Sequence, residues 1–242
     1  MLILAKNALE VTQLPAADKL RTMVMVPSSV KALLATDDLP KGVKTLVFGG
    51  EALKRSLVAQ AYAQPSISRV LNAYGPTEDT VYSTIAEVTK GTATVTIGKS
   101  HQNSQSYILD ENLQPVATGE AGELYLAGPK LARGYLYDSK QTKERFIEIE
   151  PNKDISNNRL YKTGDVCRRL ENGEIEFLGR ADQQVKIRGY RIELEEIEST
   201  LETLEGVDAV AAAAVEGGIG QKILAVYVVT KKASIKALFK LS

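Results

Sequence analysis

Asn72-Ala73-Tyr74-Gly75-Pro76-Thr77-Glu78 closes a segment, residues 68–73, that reads as a strand. Within a few residues it sets an aromatic ring, a tight turn, a hydroxyl and a carboxylate. Tyr74 can lay its ring on a purine face. Gly75-Pro76 fixes a turn that presents Thr77 and Glu78. Thr77 offers a hydroxyl to a phosphate oxygen, and Glu78 offers a hard oxygen ligand to Mg²⁺. The same residues also suit a plain strand-to-helix turn, with Pro76 opening the helix and Glu78 favouring its N-terminus.

Upstream, strands and helices alternate. Residues 23–26 are a short apolar run stopped by Pro27, after which Ser28 or Ser29 can cap a helix carrying Val30, Leu33 and Leu34. Residues 45–48 form a second buried-strand candidate, ended by Gly49-Gly50, where backbone without Cβ can approach another group. Residues 54–63 read as a helix with Leu57, Val58 and Ala61 on one face. Such repetition predicts right-handed crossovers and a parallel sheet, whose ligands sit beyond the carboxyl ends of strands. Both the Gly49-Gly50-Glu51 turn and the Tyr74 segment lie at such ends.

Downstream the texture changes. Residues 83–88, 106–110, 123–127, 160–170 and 174–178 read as strands, and Glu171-Asn172-Gly173 is a hairpin signal. The spacing predicts a curled antiparallel sheet or small barrel. Residues 139–146 read as one short helix capped by Ser139, and residues 152–158 as an exposed loop. A hinge-like change at 179–184 leads to a short strand, 185–188, and a helix over 193–204 with Leu194, Ile197, Leu201 and Leu204 on one face. A strand pair, 207–215 and 222–229, comes next, then an amphipathic helix from 234. The glycines of 217–222 read as a turn between two strands, since no helix follows them as a phosphate loop requires.

The fold class is therefore α/β: a partial parallel sheet with helices plus a small β-barrel, followed by a smaller α+β C-terminal domain. The expected boundaries are 1–182 for the large domain, with its sheet over about 1–82 and its barrel over about 83–180, and 183–242 for the small one. Lys plus Arg and Asp plus Glu each number 30, so a net charge of zero provides no general attraction to nucleic acid or anionic membrane. No apolar run reaches the roughly 18 residues of a membrane span. The single cysteine, Cys167, fits a reducing compartment and a small apolar role in a strand. The N-terminus lacks a signal-peptide pattern, so a cytoplasmic location is expected. His101, the only histidine, reads as a loop residue.

Three further segments bear on chemistry: Tyr161-Lys162-Thr163-Gly164-Asp165, Gly179-Arg180-Ala181-Asp182, and residues 185–193 with Gly189 and Arg191. Asp165 can accept both hydroxyls of a ribose, or it can sit at a bulge and bond nearby backbone. Arg180 and Asp182 can be a surface pair of little worth.

In this order the segments resemble the adenylate-forming superfamily of acyl-CoA synthetases, luciferases and the adenylation domains of nonribosomal peptide synthetases. Residues 73–78, Gly49-Gly50-Glu51-Ala52-Leu53 and Gly134-Tyr135-Leu136 resemble the peptide-synthetase type. The resemblance implies activation of an amino acid, or a related carboxylic acid, by ATP to an acyl-adenylate. Transfer to the phosphopantetheine thiol of a partner carrier domain would follow. It implies that Tyr74, beside Gly75, stacks on adenine, that Thr77 contacts the α-phosphate, that Glu78 holds Mg²⁺, and that Asp165 binds the ribose. Arg180 would touch ribose or phosphate, Asp182 would be a hinge, and Gly189 and Arg191 would serve the second half-reaction beside the pantetheine arm. Met25, Val47, Gly49, Ala73, Val81 and Tyr82 would surround the substrate side chain, with Glu51 in the turn at the pocket floor. Read singly, Met25, Val47 and Val81 are equally good core residues. The resemblance covers only the later part of such a domain. The family's Ser/Thr/Gly-rich phosphate loop and its C-terminal Gly-Lys lysine have no counterpart, so the chain alone is expected to be catalytically incomplete. A free-CoA ligase of the same superfamily and a non-catalytic nucleotide-binding remnant are the alternatives.

Overall fold

The structure, a computed structural model, describes residues 8–182, 184–217, 222–230 and 236–237. The chain divides into two compact units, Met1–Ala181 and Asp182–Ser242.

After two 3-10 helices, Ala8–Gln13 and Ala17–Lys19, the first unit runs through strand β1 (Thr22–Met25), helix α1 (Pro27–Ala35), strand β2 (Thr45–Gly49), helix α2 (Arg55–Ala63) and strand β3 (Arg69–Tyr74). β1, β2 and β3 pair in parallel, with Val47 opposite Leu71 and Gly49 opposite Ala73. β4 (Thr84–Glu87) returns antiparallel on β3, and the short β5 (Lys99–Ser100) pairs with it in turn. Alternation along the strands sends Met23, Leu46, Phe48 and Val70 to one face. There they meet Val30 and Leu33 of α1 and Leu57, Val58 and Ala61 of α2 in one buried cluster. That burial fixes the register, because a one-residue slip would expose the whole set.

The helix starts differ from the sequence expectation. α1 begins at Pro27 rather than after a serine cap, because proline needs no hydrogen bond at the first helical position. Ser28 lies inside the helix, and its N–H and hydroxyl donate to the Glu51 carboxylate, both at 2.9 Å. The cap thus comes from the turn after β2.

The second sheet comprises β6 (Gln105–Leu109), β7 (Ala121–Ala127), β8 (Phe146–Glu148), β9 (Arg159–Arg169) and β10 (Ile175–Arg180), with α3 (Ser139–Arg145) ahead of β8. Its order is β10-β9-β7-β6, with β8 on the β10 side of β9. It is an open sheet and not the expected small barrel. Closure would need β10 to meet β6, but Ile175 on its outer edge bridges instead to Gly98, the residue just before β5. Gly98 is pressed against β4 as well: its φ is +80°, and a Cβ there would lie 1.8 Å from the Ile85 carbonyl oxygen, so only glycine fits between the two. Asp138, not Ser139, caps α3 by accepting from the Gln141 N–H at 2.8 Å. Nor is 152–158 wholly an exposed loop, because Ile155 is fully buried against Leu109, Tyr125 and Leu160. Cys167 is buried in β9, as its alternation predicts, and burial pushes its thiol pKa well up.

The second unit holds strands β11 (Val185–Ile187) and β12 (Tyr190–Ile192), helix α4 (Leu194–Glu202), and strands β13 (Val207–Glu216), β14 (Lys222–Thr230) and β15 (Lys236–Ala237). Leu194, Ile197 and Leu201 pack on Ala212, Leu224 and Val226. Leu204 falls beyond the helix and is exposed. β13 and β14 form the expected antiparallel pair. Lys236–Ala237 adds to β14 as a strand, not the expected helix, and the rest of that segment lies outside the described residues. So do residues 218–221 of the glycine-rich turn. Among the described residues no helix is long and apolar enough to cross a membrane.

Candidate nucleotide and acid site

β3 delivers Tyr74 to the carboxyl edge of the parallel sheet. The chain then turns through Gly75-Pro76 into a 3-10 turn, Thr77–Asp79, and returns so that the Ser83 N–H donates to the Tyr74 carbonyl at 2.8 Å. Gly75 makes this possible. A Cβ there would stand 2.5 Å from the Val81 oxygen and 2.6 Å from the Ser83 nitrogen, both backbone atoms.

The Tyr74 hydroxyl donates to Asp165 Oδ2. Arg180 Nη1 donates to Asp165 Oδ1 at 2.9 Å and to the Thr163 carbonyl at 3.1 Å. The Asp165 N–H is held in turn by Thr163 Oγ1 at 3.0 Å. Burial, helped by the Asp165 charge, pushes the Tyr74 phenol well above its ordinary pKa, so it stays a donor. Tyr74 and Arg180, from strands far apart in sequence, thus converge on the one Asp165 carboxylate.

Glu78 is almost fully buried, and the Tyr135 hydroxyl donates to its Oε1. The Ala132 N–H donates to the Glu78 carbonyl at 2.7 Å. Burial, then the bond to Glu78, raises the Tyr135 pKa. Among the described residues no group of three or more His, Cys, Asp or Glu could hold a metal. A single carboxylate fits Mg²⁺ all the same, since that ion is commonly held by one or two carboxylates together with substrate phosphates and water. Thr77 is exposed beside it.

Of the expected acid-pocket residues, Val47, Gly49 and Ala73 share the sheet face opposite the helical core by their pairing. The Tyr82 ring lies over Gly49, 3.2 Å from where a Cβ would stand. Val81 is exposed. Met25 packs against the helical core instead.

Gly189, Arg191 and Asp182 belong to the second unit. Arg188 and Gly189 both have positive φ in the two-residue turn between β11 and β12, a conformation glycine accepts at little cost. Arg191 pairs with Glu193 at 3.4 Å, and Asp182 Oδ1 accepts from the Gln184 N–H at 3.2 Å.

Comparison with known proteins decides what this edge belongs to. The family described as AMP-binding enzyme matches residues 4–136. The chain belongs to that family. It is 46% identical over 232 residues to a linear gramicidin synthase of Brevibacillus parabrevis, covering 95% of this chain and 4% of that protein. It is 42% identical over 227 residues to an antimetabolite synthetase of Pseudomonas aeruginosa, covering 93% of this chain and 18% of that protein. Among solved structures, a nonribosomal peptide synthetase protein containing adenylation and PCP domains superposes with a TM-score of 0.83 at 31% identity, over 93% of this chain and 40% of that one. A Vibrio cholerae adenylation domain in complex with glycyl-adenosine-5'-phosphate gives 0.78 at 29% identity, over 91% of this chain and 43% of that one. The chain therefore corresponds to a small part of its curated relatives and to less than half of these structures. The peptide-synthetase reading of the motifs agrees with these relatives.

Two functional contacts escape a reading of the sequence. Tyr135 stands in the Gly134-Tyr135-Leu136 segment, but nothing local signals a partner 57 residues upstream. The other is the bond from Lys130 Nζ to the Tyr82 carbonyl, 2.7 Å, which nothing in the sequence around Lys130 signals.

Proposed function

We propose that this chain is the later part of an amino-acid-activating adenylation domain, with its adenosine site around Tyr74, Asp165 and Arg180. The observation that carries the proposal is that these three side chains meet at the carboxyl edge of the sheet, where Gly49 pairs with Ala73. That edge is where open α/β sheets bind ligands.

In this reading the acid's carboxylate attacks the α-phosphate of ATP, pyrophosphate leaves, and the acyl-adenylate passes to a carrier thiol. Tyr74 stacks on the adenine, while Asp165, oriented by Tyr74 and Arg180, accepts the ribose hydroxyls. Thr77 donates to the α-phosphate. Glu78, held by Tyr135, supplies a carboxylate oxygen to Mg²⁺, which when bound neutralises phosphate charge. Catalysis is positioning and electrostatic stabilisation. Asp182 is the hinge about which Gly189 and Arg191 come to the site for thiol transfer.

Calorimetry with AMP tests this. The wild-type chain binds weakly, near 1 mM, about −4 kcal/mol. Tyr74→Phe keeps most of that affinity, whereas Tyr74→Ala and Asp165→Asn each lower it severalfold or more. Equal affinity in wild type, Tyr74→Ala and Asp165→Asn, or no binding by wild type, overturns the assignment. The chain alone, without a phosphate loop, is expected not to reach the roughly 1 per second of an ordinary enzyme in ATP–pyrophosphate exchange.

A further inference from the structure

The turn that carries Val81 and Tyr82 is strained. Thr80 and Val81, both β-branched, have φ of 53° and 73°, a region that such residues rarely enter. The Tyr82 N–H donates to the Thr80 carbonyl at 3.0 Å, closing a γ-turn about Val81 of the uncommon positive-φ kind. Strain of this sort persists only where surrounding contacts over-determine it.

Among the described residues, the side-chain bonds that brace the turn from outside come largely from one residue. Lys130, just past the end of β7, donates from Nζ to the Tyr82 carbonyl at 2.7 Å. The same ammonium lies 3.7 Å from Oδ2 of Asp79, whose side chain is fully buried. The Lys130 carbonyl accepts from Thr80 Oγ1 at 2.8 Å. The start, middle and end of the turn are all tied to Lys130, and through it to the second sheet. A charged donor to a carbonyl is among the stronger hydrogen bonds, and an uncompensated buried carboxylate at Asp79 would be costly.

We propose that Lys130 is a positioning residue for substrate selection, holding the strained 79–82 turn so that the Tyr82 ring closes over Gly49 and forms a wall of the acid pocket. The pocket assignment rests on the adenylation reading, whereas the Lys130–Tyr82 coupling does not. The bonds of Lys130 run to Asp79, Thr80 and Tyr82 and not to Tyr74, Asp165 or Arg180. Asp79 also closes the 3-10 turn that carries Thr77 and Glu78, so the larger effect falls on the acid side through Tyr82 and a smaller one on the phosphate side.

Two measurements separate these claims. In the isotope-labelled chain, nuclear Overhauser effects between the Gly49 Hα and the Tyr82 ring are expected in wild type and Lys130→Arg, and should vanish in Lys130→Met. Should Lys130→Met not fold, Lys130→Met combined with Asp79→Leu removes both charges together and is expected to behave in the same way. In the full-length protein that carries this segment, Lys130→Met is expected to raise KM for the amino acid roughly tenfold, the size of one lost charge-assisted bond, with a clearly smaller rise in KM for ATP. Lys130→Arg restores the wild-type value. Persistence of the Gly49–Tyr82 signal without Lys130 overturns the coupling. Equal rises in both KM values, when that signal has vanished, overturn the acid-side role. If the full-length wild type activates no acid, the adenylation reading fails while the resonance experiment still decides what Lys130 holds.

Discussion

Removing the Arg180 guanidinium tests whether the Asp165 carboxylate is held as a buried, multiply bonded group. Arg180 and Asp165 side chains are 14% and 9% exposed, with Nη1 and Oδ1 2.9 Å apart. At an effective dielectric near 20, unit charges at that separation attract by about 6 kcal/mol before desolvation is subtracted. Truncating one partner of a buried pair costs about 3–5 kcal/mol. The Tyr74 hydroxyl still supports Asp165 after the change, which sets the expectation for Arg180→Met at the low end, about 3 kcal/mol. Asp165→Asn leaves Arg180 its bond to the Thr163 carbonyl and should cost about 2 kcal/mol. The double variant removes both charges, so it should cost about 3 kcal/mol rather than the sum, a coupling of about 2 kcal/mol. Urea titrations of the four proteins, followed by circular dichroism at neutral pH, measure every cost. A coupling below about 0.5 kcal/mol, the scale of exposed pairs, would refute the argument.

Gly75→Ala should destabilise by about 2 kcal/mol by overpacking, since its new Cβ meets only backbone atoms within 2.8 Å. Gly119→Ala, at φ +87° with open space around it, should cost only the dihedral strain, about 1 kcal/mol. Equal costs in denaturant would show that the Gly75 contact is relieved. Glu51→Ala removes the acceptor that caps α1 and should cost about 1–2 kcal/mol in the same titration. Tyr74 and Tyr135 have folded pKa values raised above the ordinary 10.0. Their stabilisation is thus intact below that pH and is lost as pH rises past it, by about 1.4 kcal/mol per pH unit per tyrosine. Tyr74→Phe combined with Tyr135→Phe should reduce that alkaline slope by their two contributions, leaving those of Cys167 and Tyr125, whose pKa values burial also raises, and an unchanged slope in a pH series of melts would count against the burial of these phenols.

Local and periodic features were legible in the amino-acid sequence. Apolar runs of strand length, separated by stretches with helical spacing, specified β1 to β3 with α1 and α2, because alternation and the 3.6-residue repeat each report a buried face. The sequence also set which residue types stand at the strand ends, and the order of the motifs identified the family. It did not specify partners. Periodicity says that a face is buried but not against what, so it could not show that Tyr74 reaches Asp165 or that Tyr135 reaches Glu78. The polar run 152–158 hid Ile155, whose burial depends on residues of β6, β7 and β9. Strand count suggested a barrel, but closure turned on whether β10 met β6 or Gly98, a choice between two distant edges. The cap of α1 came from Glu51, and the brace on the strained turn came from Lys130. Both are contacts between elements, and only the folded chain, by bringing sequence-distant side chains within bonding distance, could decide them.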